Sequence, residues 1–333
     1  MVDTFAGPGD EESPDGGSKV LPFSTTPGSE AGKREEVSKG SATFRQLLSE
    51  RLGFEELVSS SLWRASVAEI LGTAVLVFLI DTIVISSFQT DTKTPNLLIS
   101  FLIFLCVTIL LLATIPMSGG HINPIISFSA ALLGNISPTR ATIYIVAQCC
   151  GGVLGALGLR AVVGHTIENA FMLGGCTLRV VAQGTEETVP MGVETSQGLW
   201  LEIICTFIFL YSSIWIAFDS RQARAHGPVI VCSIVGAVLG LLVFVSLTVT
   251  KQKGYSGAGM NPARCIGAAL VRGGQLWDDH WVYWVGPAIA CVIFYLYIKV
   301  SPRQHFQIDH EFQYDFVTTV KVLWSRTPHR SSI

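Results

Sequence analysis

Six apolar runs, each near the length of a bilayer crossing, do most to limit what this chain can become. They lie at 63–87, 97–116, 139–163, 197–218, 228–250 and 281–300. An α-helix needs about 20 apolar residues to span the hydrocarbon core. Only helices and closed barrels satisfy every backbone polar group there. A barrel needs alternating segments of about ten residues, and these runs do not alternate. Charged residues make up 14% of the chain, against about 25% in a soluble domain. The expected class is an all-α membrane protein with six transmembrane helices.

The flanks differ in chemistry. Residues 1–60 are rich in Gly, Ser, Pro and charge, a composition that cannot bury a core and is expected to be disordered. They lack a basic stretch followed by an apolar one, so the first span is expected to act as the insertion signal. The expected organisation is this segment, a channel-like domain over 61–302 and a tail over 303–333. Lys33, Arg34, Lys39, Arg45, Arg51 and Arg64 lie before or at the very start of the first span. Arg221 and Arg224 lie in the 219–227 loop, and Lys299, Arg303, Lys321, Arg326 and Arg330 lie at the end. With six spans these share one side, which the positive-inside rule makes cytoplasmic. Both termini are therefore expected inside, and the sequon Asn135-Ile136-Ser137 falls on that side, unglycosylated.

The chain also repeats itself. AEILGTAVLVF at 68–78 matches LEIICTFIFLY at 201–211 through Glu69/Thr73 and Glu202/Thr206. SGGHINPIISF at 118–128 matches SGAGMNPARCIGAAL at 256–270, and YIVAQ at 144–148 matches YWVGP at 283–287. The landmarks recur in the same order over about 63–163 and about 196–300. Three spans per copy invert the second copy relative to the first, an arrangement with its working site near the midplane.

Asn is a favoured N-cap, and Pro suits the first helical position because its missing N–H is not needed there. Asn123-Pro124-Ile125 and Asn261-Pro262-Ala263 thus each start a helix. Too few residues remain before the next span for a further crossing, so both are expected to be re-entrant half-helices. Non-helical backbone at that depth is tolerated only where protein buries it or water lines it. Entering from opposite sides, their N-termini face one another, each carrying roughly +0.5 of an elementary charge. That centre repels cations, while the Asn amides offer donors to a passing oxygen and the Gly-rich lead-ins offer carbonyls. Such a path suits neutral solutes in single file.

The paired Asn-Pro motifs, the paired Glu-x-x-x-Thr and the AQ/GP positions resemble the aquaporin, or major intrinsic protein, superfamily over about 63–300. NPI, NPARC and the LGGC at 173–176 resemble its plant X intrinsic protein subfamily. The resemblance implies six helices with two half-helices, a homotetramer with one pore per subunit, and a place in the plasma membrane. It also implies a four-sided constriction, carried over by spacing from the motifs to Ile103, Val249, Ala258 and Arg264. Ile, Val and Ala leave little to hydrogen-bond water. The implied permeants are glycerol, urea, boric acid and hydrogen peroxide, with poor water conduction.

Other residues keep two readings each. Glu69 and Glu202 read as supports that accept hydrogen bonds from the re-entrant backbone, or as a proton relay. His121 reads as a buried ring beside the first motif, or as a pH-sensitive group. Cys265 reads as packing, or as a mercurial or oxidant target. Cys176 lies in the loop opposite the termini, where an unpaired thiol could bridge subunits. Ile125 stands where most relatives have Ala. Thr327 and Ser220 are candidate phosphorylation sites. The eight cysteines have no metal-binding spacing, and no nucleophile–base arrangement is evident. No cofactor, metal or nucleic-acid partner and no enzymatic activity is expected. The membrane lipid and small neutral solutes are the expected partners. An ordinary water channel and a coupled secondary transporter remain as rivals.

Overall fold

The computed structural model describes Ser49 and residues 51–181, 190–218 and 220–301. Among these, six helices are long and apolar enough to cross a membrane. In chain order the elements are α1 (Ser60–Gln89), α2 (Pro95–Ser118), α3 (Pro124–Leu132), α4 (Pro138–Val162), α5 (His165–Phe171), β1 (Arg179–Val181), β2 (Pro190–Gly192) and α6 (Thr195–Phe209). A π-helical turn over Leu210–Ile214 comes next. Then come α7 (Trp215–Phe218), α8 (Ser220–Val249), α9 (Pro262–Arg272) and α10 (Val282–Val300). The strands form a two-stranded antiparallel hairpin, with Val180 opposite Met191.

The half-helices α3 and α9 have nine and eleven residues, about 14 and 17 Å at 1.5 Å per residue. Each reaches only about half-way across a hydrocarbon core of about 30 Å. The repeats pair in matching ways: α1 lies against α4, α6 against α10, and α2 against α8. The α9 half-helix packs on α4, at a site where two glycines let backbones touch. A Cβ on Gly152 would collide with the Ala263 carbonyl, and one on Gly267 would collide with Gly152 itself. The main apolar cluster gathers Ile99, Ile103 and Val107 of α2, Val235 of α8, and Ile125 and Ile126 of α3. Leu71, Phe101, Ile109, Trp200 and Leu241 stay exposed on the outer faces, as suits helices whose solvent is hydrocarbon.

One boundary differs from expectation. Residues 54–58, placed by composition in the disordered segment, form a helical turn. Tertiary partners order it: Thr139 Oγ1 donates to the Leu52 carbonyl at 2.7 Å, and Arg140 pairs with Glu56 at 2.6 Å. Lys33, Arg34, Lys39 and Arg45, and the tail from residue 302 with Thr327, lie outside the described residues.

Candidate functional site

Each half-helix begins at its Asn. The Asn123 side-chain carbonyl accepts from Ile125 N at 3.0 Å, and that of Asn261 from Ala263 N at 3.0 Å. Pro124 and Pro262 open the first turns. The amide nitrogens then cross between repeats. Asn123 Nδ2 donates to the Met260 carbonyl at 2.9 Å, and Asn261 Nδ2 to the Ile122 carbonyl at 3.1 Å. Each NH2 has two hydrogens, so one remains for a solute. Ile122 and Met260 both sit at positive φ, 41° and 50°. This conformation costs a non-glycine residue about 1–3 kcal/mol, and it aims the two carbonyls at the opposite Asn.

The carboxylates hold the lead-ins from behind. Glu69 accepts from His121 N at 3.0 Å and Ile122 N at 2.6 Å, and also from Ser118 Oγ and Gln148 Nε2. Glu202 accepts from Gly259 N at 2.5 Å and Met260 N at 3.0 Å. Both side chains are fully buried. His121 Nδ1 lies 3.0 Å from Ser127 Oγ, and its ring meets Tyr144 edge-on and approaches Phe218.

A cavity passes the Asn pair. It is lined by Ile115, His121 and Phe218, and by Ile103, Val107, Leu239, Ala258 and Arg264. Ile126 faces it, whereas Ile125 is buried in the apolar cluster beside the Cys291 thiol. Of the four residues assigned to the constriction, Ile103, Ala258 and Arg264 line this cavity together. Val249 does not: it is 63% exposed at the end of α8. From α8 the cavity is lined by Val231, Cys232, Val235, Leu239 and Val243, of which Val243 is nearest to Val249 along the chain. Spacing failed because the chain makes an excursion between α8 and Asn261. Ser246 Oγ already accepts from Ala258 N, while Gly254 and Ser256 bond to Thr177. Six residues turn a helix by about 600°, so Val249 points away from the face that carries Val235, Leu239 and Val243.

The cysteine readings also change. Cys176 and Cys265 form a disulfide within the chain, 89 residues apart. Cys176 is therefore no free thiol for an intersubunit bridge, and Cys265 no free target for mercury. The other six cysteines are free. The sulfurs lie behind the lead-in, where a Cβ on Gly259 would strike them.

One residue escaped sequence reasoning. Asp81 of α1 is fully buried, and its Oδ1 pairs with Arg264 Nε at 3.1 Å. Arg264 also donates to the Gly174 carbonyl at 3.0 Å and to Cys176 Sγ at 3.4 Å. The signal was available: a carboxylate within a membrane span is a functional candidate by default, the same rule that singled out Glu69 and Glu202. Among the described residues no cluster of His, Cys, Asp or Glu has the makings of a metal site.

Comparison with known proteins agrees with this geometry. The family model described as "MIP: Major intrinsic protein" matches residues 56–297. Aquaporin PIP1-1 of Arabidopsis thaliana is 34% identical over 257 residues, covering 74% of this chain and 82% of the relative. Aquaporin PIP2-5 of Zea mays is 33% identical over 252 residues, covering 72% and 82%. The solved aquaglyceroporin from Plasmodium falciparum superposes with a TM-score of 0.55 at 18% identity, covering 72% of this chain and 96% of that one. At that identity the likeness is one of fold.

Proposed function

This chain belongs to the major intrinsic protein family of membrane channels, not enzymes, and from that premise we propose that it passes small uncharged solutes passively. The solutes are glycerol, urea, boric acid and hydrogen peroxide, with low water permeability and no passage for ions or protons. The carrying observation is the cavity lining, in which Ile103, Val243 and Ala258 are apolar and Arg264 is the one Arg or Lys; we read these four as the constriction. Water entering there gives up hydrogen bonds with little replacement, at about 1–3 kcal/mol for each unpaired group. A larger solute with an apolar side keeps contact with Ile103 and Val243 while its hydroxyls or amides use Arg264 and the Asn amides. Two facing half-helix N-termini, each worth roughly +0.5 of a charge, raise the barrier to cations. Glu69 and Glu202 act as loop supports in this reading, since their oxygens are taken by backbone donors. His121 lines the path beside the first motif.

The NPI, NPARC and LGGC motifs support membership of the plant X intrinsic proteins. The channel domain then covers 61–302 as a homotetramer in the plasma membrane, with both termini cytoplasmic. The names of the plant relatives favour an ordinary water channel as the competing reading. Stopped-flow permeability of proteoliposomes to water, glycerol and hydrogen peroxide separates the two, with Ile103→Phe as the variant. Fast solute flux with weak water flux is expected, and Ile103→Phe should cut glycerol flux by about tenfold, in the range of a methylene-scale change to a pocket. Water flux far above solute flux overturns the reading. Gradient-driven accumulation in place of equilibration would mean a coupled transporter.

A further inference from the structure

Arg264 is held at three points, and none of its holders lies on its own half-helix. Nε donates to Asp81 of α1, one terminal nitrogen to the Gly174 carbonyl and the other to Cys176 Sγ. Gly174 packs directly on Asp81, where any side chain at its φ of 70° would collide. Cys176 is tied to Cys265, the residue after Arg264. Guanidinium, carboxylate and loop thus form one closed unit at the edge of the cavity. Asp81 is fully buried and Arg264 is 6% exposed.

We propose that Asp81 is the specificity-determining partner of Arg264: by pairing with the guanidinium it holds the cation against the wall and keeps the constriction wide and close to neutral. All three bonds carry the charge of the guanidinium, but Asp81 alone adds an opposite charge on the acceptor, which makes it the strongest of the three holders. Without it, a buried cation stands uncompensated in a low-dielectric wall, which is strongly unfavourable. Hydration is available to that cation only on the lumen side. The guanidinium then turns inward, narrows the pore and leaves a bare positive charge beside passing solutes. The effect falls first on the largest permeant and least on water. Asp81 touches no solute; it acts through Arg264.

This inference rests on reading the cavity as the conducting pore. The test compares wild type, Asp81→Asn, Arg264→Ala and the double variant in proteoliposomes. Each is normalised to reconstituted protein, with water and glycerol flux measured side by side. Asp81→Asn should lower the glycerol-to-water permeability ratio by about tenfold, a change typical of a methylene-sized loss of pocket space. The double variant leaves no buried charge unpaired and should fold in any case; its ratio should equal that of Arg264→Ala alone. A ratio unchanged by Asp81→Asn overturns the proposal. So does a double variant that differs from Arg264→Ala, because Asp81 would then act without Arg264. If wild type passes water alone, the solute reading of the pore has failed. The same four proteins then decide this proposal on water flux, which must fall in Asp81→Asn and return in the double variant.

Discussion

The two half-helices share a plan and differ in the residues just past their Asn. Both begin with an Asn cap, a Pro and a lead-in held by a buried glutamate, and their amides cross to the opposite carbonyl at 2.9 and 3.1 Å. Three residues past Asn123 stands Ile126; three past Asn261 stands Arg264. Four past, Ser127 bonds to His121 and Gln148, whereas Cys265 is crosslinked to Cys176. Gln148 also supports Glu69, but its counterpart in the second repeat is Pro287, which has no side-chain donor. The matched features frame the Asn pair, while Arg264 and the disulfide belong to the second half alone, the side that the proposed function reads as the constriction. On the proposed reading, symmetry suffices for a barrier to cations, because two facing dipoles need only be equal and opposed. Selectivity among neutral solutes needs a place where the repeats differ.

The largest expected effect tests the shared plan. Alanine at Glu69 or Glu202 strands two backbone N–H groups in each case. At about 1–3 kcal/mol per stranded group, each variant should lose roughly 2–6 kcal/mol. Glu69→Ala should lose more, because Ser118 and Gln148 also lose a partner. Thermal stability of the two purified variants in detergent checks this, and a larger loss for Glu202→Ala would break the comparison.

The next effect tests what is peculiar to the second half. Replacing Cys176 and Cys265 together by Ser should cost about 2–4 kcal/mol, as for a typical native disulfide. It should also leave loop 173–176 tied to the second half-helix only by hydrogen bonds such as that from Arg264 to the Gly174 carbonyl. Thiol counting on the denatured chain should find six without reductant and eight with it. Eight in both would remove the crosslink from the account.

The smallest effect sharpens the filter assignment. Val249→Phe lies on an exposed face and should alter stability by no more than about 0.5 kcal/mol, with solute and water flux unchanged. Val243→Phe should lower glycerol flux as Ile103→Phe does. Vesicle swelling rates for the pair decide it; equal effects would return Val249 to the pore.

How much was legible depended on how far each signal reaches along the chain. Hydrophobic length, helix capping and internal repetition are local or periodic. Ser60–Gln89, Pro95–Ser118 and both half-helix starts at Pro124 and Pro262 therefore match their sequence-based expectations within a few residues. Ala258 and Arg264 are fixed to Asn261 by short chain, and both stand in the cavity lining. Val249 was reached by counting through an excursion whose return at Ser246 and Ala258 no spacing records.

By itself, then, the sequence determined the six spans, the two half-helices and the facing Asn pair, because each is set by neighbouring residues or by a repeat of them. Only the tertiary structure decided that Cys176 meets Cys265, that Asp81 meets Arg264 and that Val243 rather than Val249 lines the path. These contacts join residues separated by whole helices and loops. They depend on how the α1–α4–α9 packing brings loop 172–177 over the second half-helix, a matter of close-packed shape that no run of residue types along the chain encodes.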